Sequence, residues 1–203
     1  MLVASSNPGK VAEFRKLAGR TIPGISLDLE LLPRFSDLPA FEESAPTFAE
    51  NAAGKALHYS RFADLPVMAD DSGLEVDALG GGPGVYSARY AGPGASDAQR
   101  TAKLLDELRT RGARSLTDRR ARFVCVIALV KRGRTIAVVS AAAEGEILDA
   151  PRGAGGFGYD PVFLVPTLGK TFAELSAAEK NRYSHRGKAF RKLLGFLARS
   201  SVL

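Results

Sequence analysis

Leu65 to Gly92, LPVMADDSGLEVDALGGGPGVYSARYAG, is the stretch on which the reading of this chain turns. A short apolar run, Leu65 to Ala69, is followed at once by Asp70 and Asp71 and then by Ser72-Gly73. An apolar run that ends in acids reads as a strand whose C-terminal end presents polar side chains at the edge of a sheet, where open α/β folds place their ligands. Neighbouring carboxylates repel, and burying both without a partner is costly, so the pair points to a bound divalent cation or a raised pKa. Asp-Asp-Ser-Gly is also good turn chemistry, and this stretch alone leaves both readings standing.

Upstream, Met1 to Ser5 reads as a short strand, with Asn7 as the N-cap of a helix that has Pro8 at its first position. Val11, Phe14, Leu17 and Ala18 fall on one face of that helix, which stops at Gly19. The N–H groups of Ser6 to Gly9, the positive end of the helix and Lys10 together favour an anion, although a plain capped helix accounts for the same residues. The order is neither GxGxxG nor Walker A. A Pro-interrupted stretch, Leu31 to Pro46, carries Glu42 and Glu43 in a loop, and Thr47-x-x-Glu50 is a capping box opening a helix to about Arg61 that includes Asn51 and Lys55.

Downstream, Gly80-Gly81-Gly82-Pro83-Gly84 marks a hairpin or loop in which backbone can approach a ligand closely. Ser96-x-x-Gln99 opens a helix whose apolar stripe reads as Ala98, Ala102, Leu105 and Leu108. Arg122 to Val130 and Thr135 to Ala143, joined by Lys131-Arg132-Gly133-Arg134, form the clearest hairpin signal. Gly153 to Pro161 reads as a ligand loop with two aromatics and one acid, and Ser176-x-x-Glu179 caps a short helix bearing Lys180. Ser184-His185-Arg186-Gly187 precedes a last helix with Ala189, Phe190, Leu193, Leu194 and Leu197 on its buried side, and His185 also fits as an ordinary polar residue at a helix entry. The expected fold is mixed α/β, with a sheet that is not purely parallel.

At 203 residues, 45% hydrophobic and 25% charged, the chain has the composition of a folded globular protein. The longest apolar run, Phe123 to Val130, is too short to span a bilayer, no secretory signal pattern opens the chain, and a cytoplasmic protein with no membrane partner is expected. The single cysteine, Cys125, lies inside that run and reads as a buried small hydrophobe. With only His58 and His185, a histidine-built zinc site is not expected, and any metal would be a hard cation held by carboxylates. A net charge of +6 suits a nucleic-acid binder or an enzyme of polyanionic substrates. The arginines between Arg109 and Arg122 lack the interleaved aromatics of a single-strand platform, so they read as a solvated face and no specific nucleic acid is expected.

Six spaced motifs together resemble the non-canonical purine nucleoside triphosphate pyrophosphatase family, also called the inosine triphosphate pyrophosphatase or XTP/dITP diphosphatase family. They are Ser6-Asn7-x-x-Lys10, Thr47-Phe-x-Glu50-Asn51-x-x-x-Lys55-Ala56, Ala69-Asp70-Asp71-Ser72-Gly73-Leu74, Pro83-Gly84-Val85-Tyr86-Ser87-Ala88-Arg89, Gly155-Gly156-Phe157-Gly158-Tyr159-Asp160-Pro161 and Ser184-His185-Arg186-Gly187. Their order and spacing match the family over nearly the whole chain, although Ser5-Ser6-Asn7 stands where many members have Thr-Gly-Asn.

The resemblance implies one domain, residues 1–203, with two lobes of a mixed sheet flanked by helices around a central nucleotide-binding cleft, in a homodimer. It implies Mg²⁺-dependent hydrolysis of ITP, dITP and XTP to monophosphate and pyrophosphate, with Mn²⁺ as a substitute. Ser5, Ser6, Asn7, Pro8, Gly9, Lys10, Lys55 and Ser72 are then expected on the triphosphate, and Glu42 or Glu43 with Asp71 on the metal. Asp71, with Asp70 beside it, is the candidate for activating water, and which of the two is the base stays open. Phe157 is expected to stack on the purine, with Gly158, Tyr159, Asp160, Lys180, His185 and Arg186 around it. The competing readings are a pyrophosphatase of related fold acting on modified pyrimidine or methylated nucleotides, and a basic nucleic-acid-binding module without catalysis.

Overall fold

The computed structural model describes residues 1–19 and 27–200. Its elements are β1 (Leu2–Val3), α1 (Pro8–Ala18), β2 (Glu30–Leu31), α2 (Phe48–Tyr59), β3 (Val67–Val76), α3 (Asp97–Thr110), β4 (Arg120–Lys131), β5 (Arg134–Ile147), β6 (Phe163–Val165), β7 (Lys170–Thr171), α4 (Ala177–Tyr183) and α5 (His185–Arg199). Side-chain caps set four of the helix starts. Asn7 accepts from the Lys10 N–H at 3.1 Å, Thr47 from Glu50 at 3.2 Å, Ser96 from Gln99 at 3.2 Å and Ser176 from Glu179 at 3.3 Å. Each satisfies an amide that the helix itself leaves open, a contribution of about 1 kcal/mol.

The strands form one mixed sheet in the order β2-β1-β3-β4-β5-β6-β7. β1 lies parallel to both β2 and β3, whereas β6 is antiparallel to β5 and to β7. Arg132 and Gly133, with φ of 50° and 71°, supply the two left-handed residues of a tight turn between β4 and β5, so the expected hairpin is present and longer than its sequence signal. The register Leu2↔Val67, Val3↔Met68 continues into an Ala4 N–H to Met68 C=O bond of 2.8 Å, which carries the start of α1 alongside the acids of β3. The chain leaves β1 in one direction to reach β2 and returns past β1 to reach β3. Right-handed crossovers of opposite direction put α1 and α2 on opposite faces of the sheet. The ends of β1 and β3 therefore lie at a switch point of the kind where α/β folds bind ligands.

Three expectations need correction. β3 does not stop at Ala69: it runs on to Val76, because Leu74 and Val76, both with no exposure, continue the strand. Asp70 and Asp71 thus occupy a strand interior, neither a strand end nor a turn. On α3 the buried face is Thr101, Leu104 and Leu108, while Ala98 and Ala102 are exposed, since the leucines carry the apolar area worth removing from water. Between Leu31 and Pro46, expected as loop, Leu31 pairs in β2 and Phe35–Asp37 forms a 3-10 turn.

The chain divides into two compact units. The first comprises Met1–Asp71, Cys125–Ala141 and His185–Leu203; its core joins Phe14, Leu17, Met68, Ile127, Leu129, Phe190 and Leu193, with the Phe14 and Phe190 rings 5.6 Å apart. The second comprises Ser72–Val124 and Ala142–Ser184; it is built on Leu74, Leu104, Leu108, Phe123, Phe163 and Phe172, with Phe163 4.6 Å from Phe123 and 4.9 Å from Phe172. No helix among the described residues is long and apolar enough to cross a membrane.

Candidate active site

Successive side chains of a strand point to opposite faces, so the adjacent acids of β3 acquire separate environments. Asp70 shares a face with Met68, which packs in the core with Phe14 of α1 and Phe190 of α5. There its carboxylate lies 3.0 Å from Lys10 Nζ and 3.8 Å from Arg186 Nε. Arg186, in the first turn of α5, also donates through a terminal guanidinium nitrogen to Glu13 Oε2 at 2.5 Å. Glu13 stands one helical turn after Lys10 on α1, so one helix face delivers both ends of a chain of alternating charge, Glu13, Arg186, Asp70, Lys10. Burial by itself would push the Asp70 carboxyl up, but Lys10, Arg186 and Lys55 outweigh it and hold Asp70 below the ordinary carboxylate range. Burial likewise works against the Arg186 charge, and Glu13 and Asp70 more than restore it.

Asp71 faces α2, where Asn51 hydrogen-bonds to its side chain. Burial first, and then the Glu43 carboxylate, push the Asp71 carboxyl up to about 6; Lys10 and Asn51 oppose the shift, and Asp70 adds a smaller upward push. Glu43 accepts from Lys55 Nζ at 2.7 Å. The Lys55 pKa is lowered by burial, but Asp70 and Glu43 leave it raised overall, so the ammonium stays charged.

The segment carrying Glu43 is stitched to a single face of α2. Asn51 exchanges two hydrogen bonds with the backbone of Ala45, at 3.0 and 3.2 Å. Lys55 holds Glu43, a His58 ring nitrogen meets Pro39 C=O at 2.8 Å, and Tyr59 Oη accepts the Phe41 N–H at 3.3 Å. Positions 51, 55, 58 and 59 are neighbours on a helix surface, so the segment runs antiparallel to α2 and is fixed at four points. Gly54 belongs to the same arrangement: a Cβ there would stand 2.7 Å from the Phe41 ring.

In the second unit, the loop after Gly153 folds around Asp160. Its Oδ2 accepts from the Phe157 N–H at 2.8 Å and from Lys180 Nζ of α4 at 2.5 Å. That ammonium lies 4.6 Å from the centroid of the Phe157 ring, within cation–π range, while the ring stays partly exposed. A Cβ at Gly156 would stand 2.1 Å from Asp160 Oδ2, so the loop closes over the carboxylate only with glycine there. Tyr159 donates its hydroxyl to Ser87 C=O at 2.9 Å, and the Gly158 N–H donates to Asp97 of α3 at 2.7 Å.

The structure thus brings Lys10, Lys55, Glu43, Asp70, Asp71 and Arg186 together in the first unit, and Phe157, Gly158, Asp160 and Lys180 in the second. Ser5 is buried with its hydroxyl accepting the Asn7 N–H at 3.2 Å, Ser6 is exposed, and Pro8 and Gly9 form the first turn of α1. His185 is the buried first residue of α5, and Ser72 is half-buried in β3. Arg186, expected at the base, spends its guanidinium on Glu13 and Asp70; Glu42 is exposed, whereas Glu43 faces Lys55. Cys125 is fully buried, and burial pushes its thiol up to about 12. Sequence reasoning missed Glu13, His58 and Asp97. The three-residue step from Lys10 on an amphipathic helix could have found Glu13, but no local signal marks the other two.

Among the described residues no three His, Cys, Asp or Glu side chains converge as a preformed metal cage. The Glu43 carboxylate nevertheless raises the cost of ionising Asp71, a cost that a cation between the two would offset. Mg²⁺ is ordinarily held by one or two carboxylates plus substrate phosphates, so this donor set fits it.

Together, the switch-point sheet, the capped helix start with its lysine and the buried, charge-alternating side chains define a mixed α/β protein with lysines and carboxylates gathered where β1 ends alongside β3. The chain belongs to the Ham1 family, whose model matches residues 1–196. It is 51% identical over 193 residues to a dITP/XTP pyrophosphatase of Geobacillus kaustophilus, covering 95% of this chain and 91% of the relative. It is 48% identical over 203 residues to a dITP/XTP pyrophosphatase of Gloeobacter violaceus, covering 100% and 96%. A HAM1 protein from Coxiella burnetii has a solved structure that matches with a TM-score of 0.85 at 42% identity, over 98% of both chains.

Proposed function

We propose that this protein is a nucleoside triphosphate pyrophosphatase that hydrolyses dITP, ITP and XTP to the monophosphate and pyrophosphate, clearing them from the nucleotide pool. The observation that carries the reading is the first unit's cluster, in which Lys10 holds Asp70 on one face of β3 while Lys55, Glu43 and Asp71 lie together on the other. The names of the relatives supply the substrate class. Ser5, Ser6 and Asn7 at the helix start, with Lys10 and Lys55, bind the triphosphate: helix amides and ammonium charges replace the carboxylate partners with phosphate oxygens.

Asp71 orients a water against the α-phosphorus and takes its proton, and pyrophosphate leaves on the opposite side. Its environment supports it over Asp70 as the base, since Asp70 is held ionised by three cations and its proton affinity is low. Glu43 and Asp71 would hold Mg²⁺, with Mn²⁺ as a substitute, and the bound ion would offset charge on the phosphates. Exposure of Glu42 and the coupling of Glu43 to Asp71 favour Glu43 over its neighbour. In the second unit, Phe157 stacks on the purine, and Lys180, held by Asp160, donates to the 6-keto oxygen. Adenine offers an amino group there, and each donor left unpaired disfavours ATP by roughly ten- to a hundredfold. The resemblance also carries a cytoplasmic homodimer into this proposal.

The test is pyrophosphate release from ITP, XTP, dITP, GTP, ATP and dTTP, each with Mg²⁺ and with EDTA. Metal-dependent turnover confined to ITP, XTP and dITP is the expected result. Turnover of dTTP alone, or of none, would overturn it.

A further inference from the structure

Asp97 opens the first turn of α3, directly after the Ser96 cap, yet its side chain serves another segment. One carboxylate oxygen accepts from the Arg100 guanidinium, and the other accepts the Gly158 N–H at 2.7 Å. Arg100 is itself fixed, because it donates to Ala95 C=O and, at 3.1 Å, to Ala88 C=O. Gly158 has φ of +63°, a left-handed conformation that glycine adopts without strain and leaves as readily, so outside contacts decide how firmly the backbone just after Phe157 is held. Two carboxylates therefore hold consecutive amides of this loop: Asp160 takes the N–H of Phe157 and Asp97 that of Gly158. Asp160 lies within the loop and moves with it. Asp97 lies sixty-one residues away in sequence, on a helix whose Leu104 and Leu108 are buried in the second unit's core.

We propose that Asp97 is a positioning residue: anchored on α3 by Arg100, its carboxylate clasps the Gly158 amide and fixes the loop that presents the Phe157 ring to the purine. This rests on the reading of Phe157 as the base platform. The geometry calls for a carboxylate of this length. Both oxygens accept, so an amide would turn a donor toward either the Gly158 N–H or the guanidinium. Glutamate would keep the negative charge at the start of α3 but displace the acceptor by one methylene. A residue serving only the helix terminus would tolerate glutamate, whereas the clasp does not.

The chain has no tryptophan, so Phe157→Trp places a single emitter on the loop. In that protein ITP, titrated in EDTA, is expected to quench the emission. Adding Asp97→Asn or Asp97→Glu is expected to weaken binding about tenfold, because a loop that is only fractionally in its competent form loses affinity by that fraction. In the protein with Phe157 intact, the same two variants raise KM for ITP to a similar extent and leave kcat within about twofold, since saturating ITP selects the ordered loop. Ser96→Ala, which removes the helix cap and leaves the clasp, lowers the melting temperature with KM and emission unchanged. ITP affinity and KM unaltered by both Asp97 variants, with quenching intact, would overturn the role of Asp97 and leave the platform standing. A Phe157→Trp enzyme that turns over ITP while its emission ignores the nucleotide would overturn the platform, and the proposal with it.

Discussion

Asp71→Asn is expected to abolish turnover and to stabilise the protein, with a pH dependence that identifies the cause. Burial and Glu43 raise the Asp71 carboxyl from 3.8 to about 6. A gap of about two units corresponds to about 3 kcal/mol at most, at 1.36 kcal/mol per unit. The folded state binds this proton more tightly than the unfolded chain, so the favourable contribution is present in full below about pH 4 and is lost as pH rises through about 6. Above that pH the ionised, buried carboxylate costs stability that an amide of the same shape does not. Asparagine should therefore gain about 1–3 kcal/mol at pH 8, roughly 3–10 °C in melting temperature for a chain of this size, about half as much at pH 5 and little at pH 4. The assay is calorimetry of both proteins from pH 4 to 8 in EDTA without nucleotide, so that no cation offsets the charge. A melting-temperature difference that does not grow with pH, or that is negative at pH 8, would refute the environment assigned to Asp71. In the same variant kcat for ITP should fall by about 10²–10⁴-fold, the usual contribution of a general base, and near-wild-type turnover would remove Asp71 from that role.

Glu43→Gln should raise the Mg²⁺ concentration for half-maximal activity at least about tenfold, as loss of a ligand does; an unchanged Mg²⁺ titration would move the ligand to Glu42. Gly145→Ala places a Cβ 2.4 Å from Leu164 C=O and 2.5 Å from the Phe163 ring, so strand backbone must shift. A loss of about 1–3 kcal/mol in thermal or urea unfolding is expected, and a neutral result would contradict the packing of β5 on β6. Cys125 should not react with a thiol-specific disulfide reagent at pH 8 until the protein is unfolded, because it is buried and its thiol is pushed up to about 12. Prompt labelling of the native protein would show the β4 core to be open.

Interactions that close within a few residues were legible in the sequence, since they depend on no other part of the chain. The caps at Asn7, Thr47, Ser96 and Ser176 each join a side chain to an amide three positions on, and the Arg132-Gly133 turn joins strands that follow one another. The apolar stripe of α5 carries enough leucine and phenylalanine for its buried face to be read directly, whereas that of α3 was misplaced because alanine contributes little area to either face. The mixed α/β class followed from these local signals.

What Asp70 and Asp71 do was decided by tertiary structure alone. In sequence they are a repelling pair; in the strand, the pleat turns them to opposite faces, one toward α1 and α5 and the other toward α2. Asp70 is held ionised by Lys10, sixty residues before it, and by Arg186, far toward the C-terminus, and Asp71 is pushed up by burial and by Glu43. Which of Glu42 and Glu43 meets Lys55 of α2 likewise depended on the fold. Electrostatic environment depends on distance and burial in space, and only the folded chain defines either for residues so far apart in sequence.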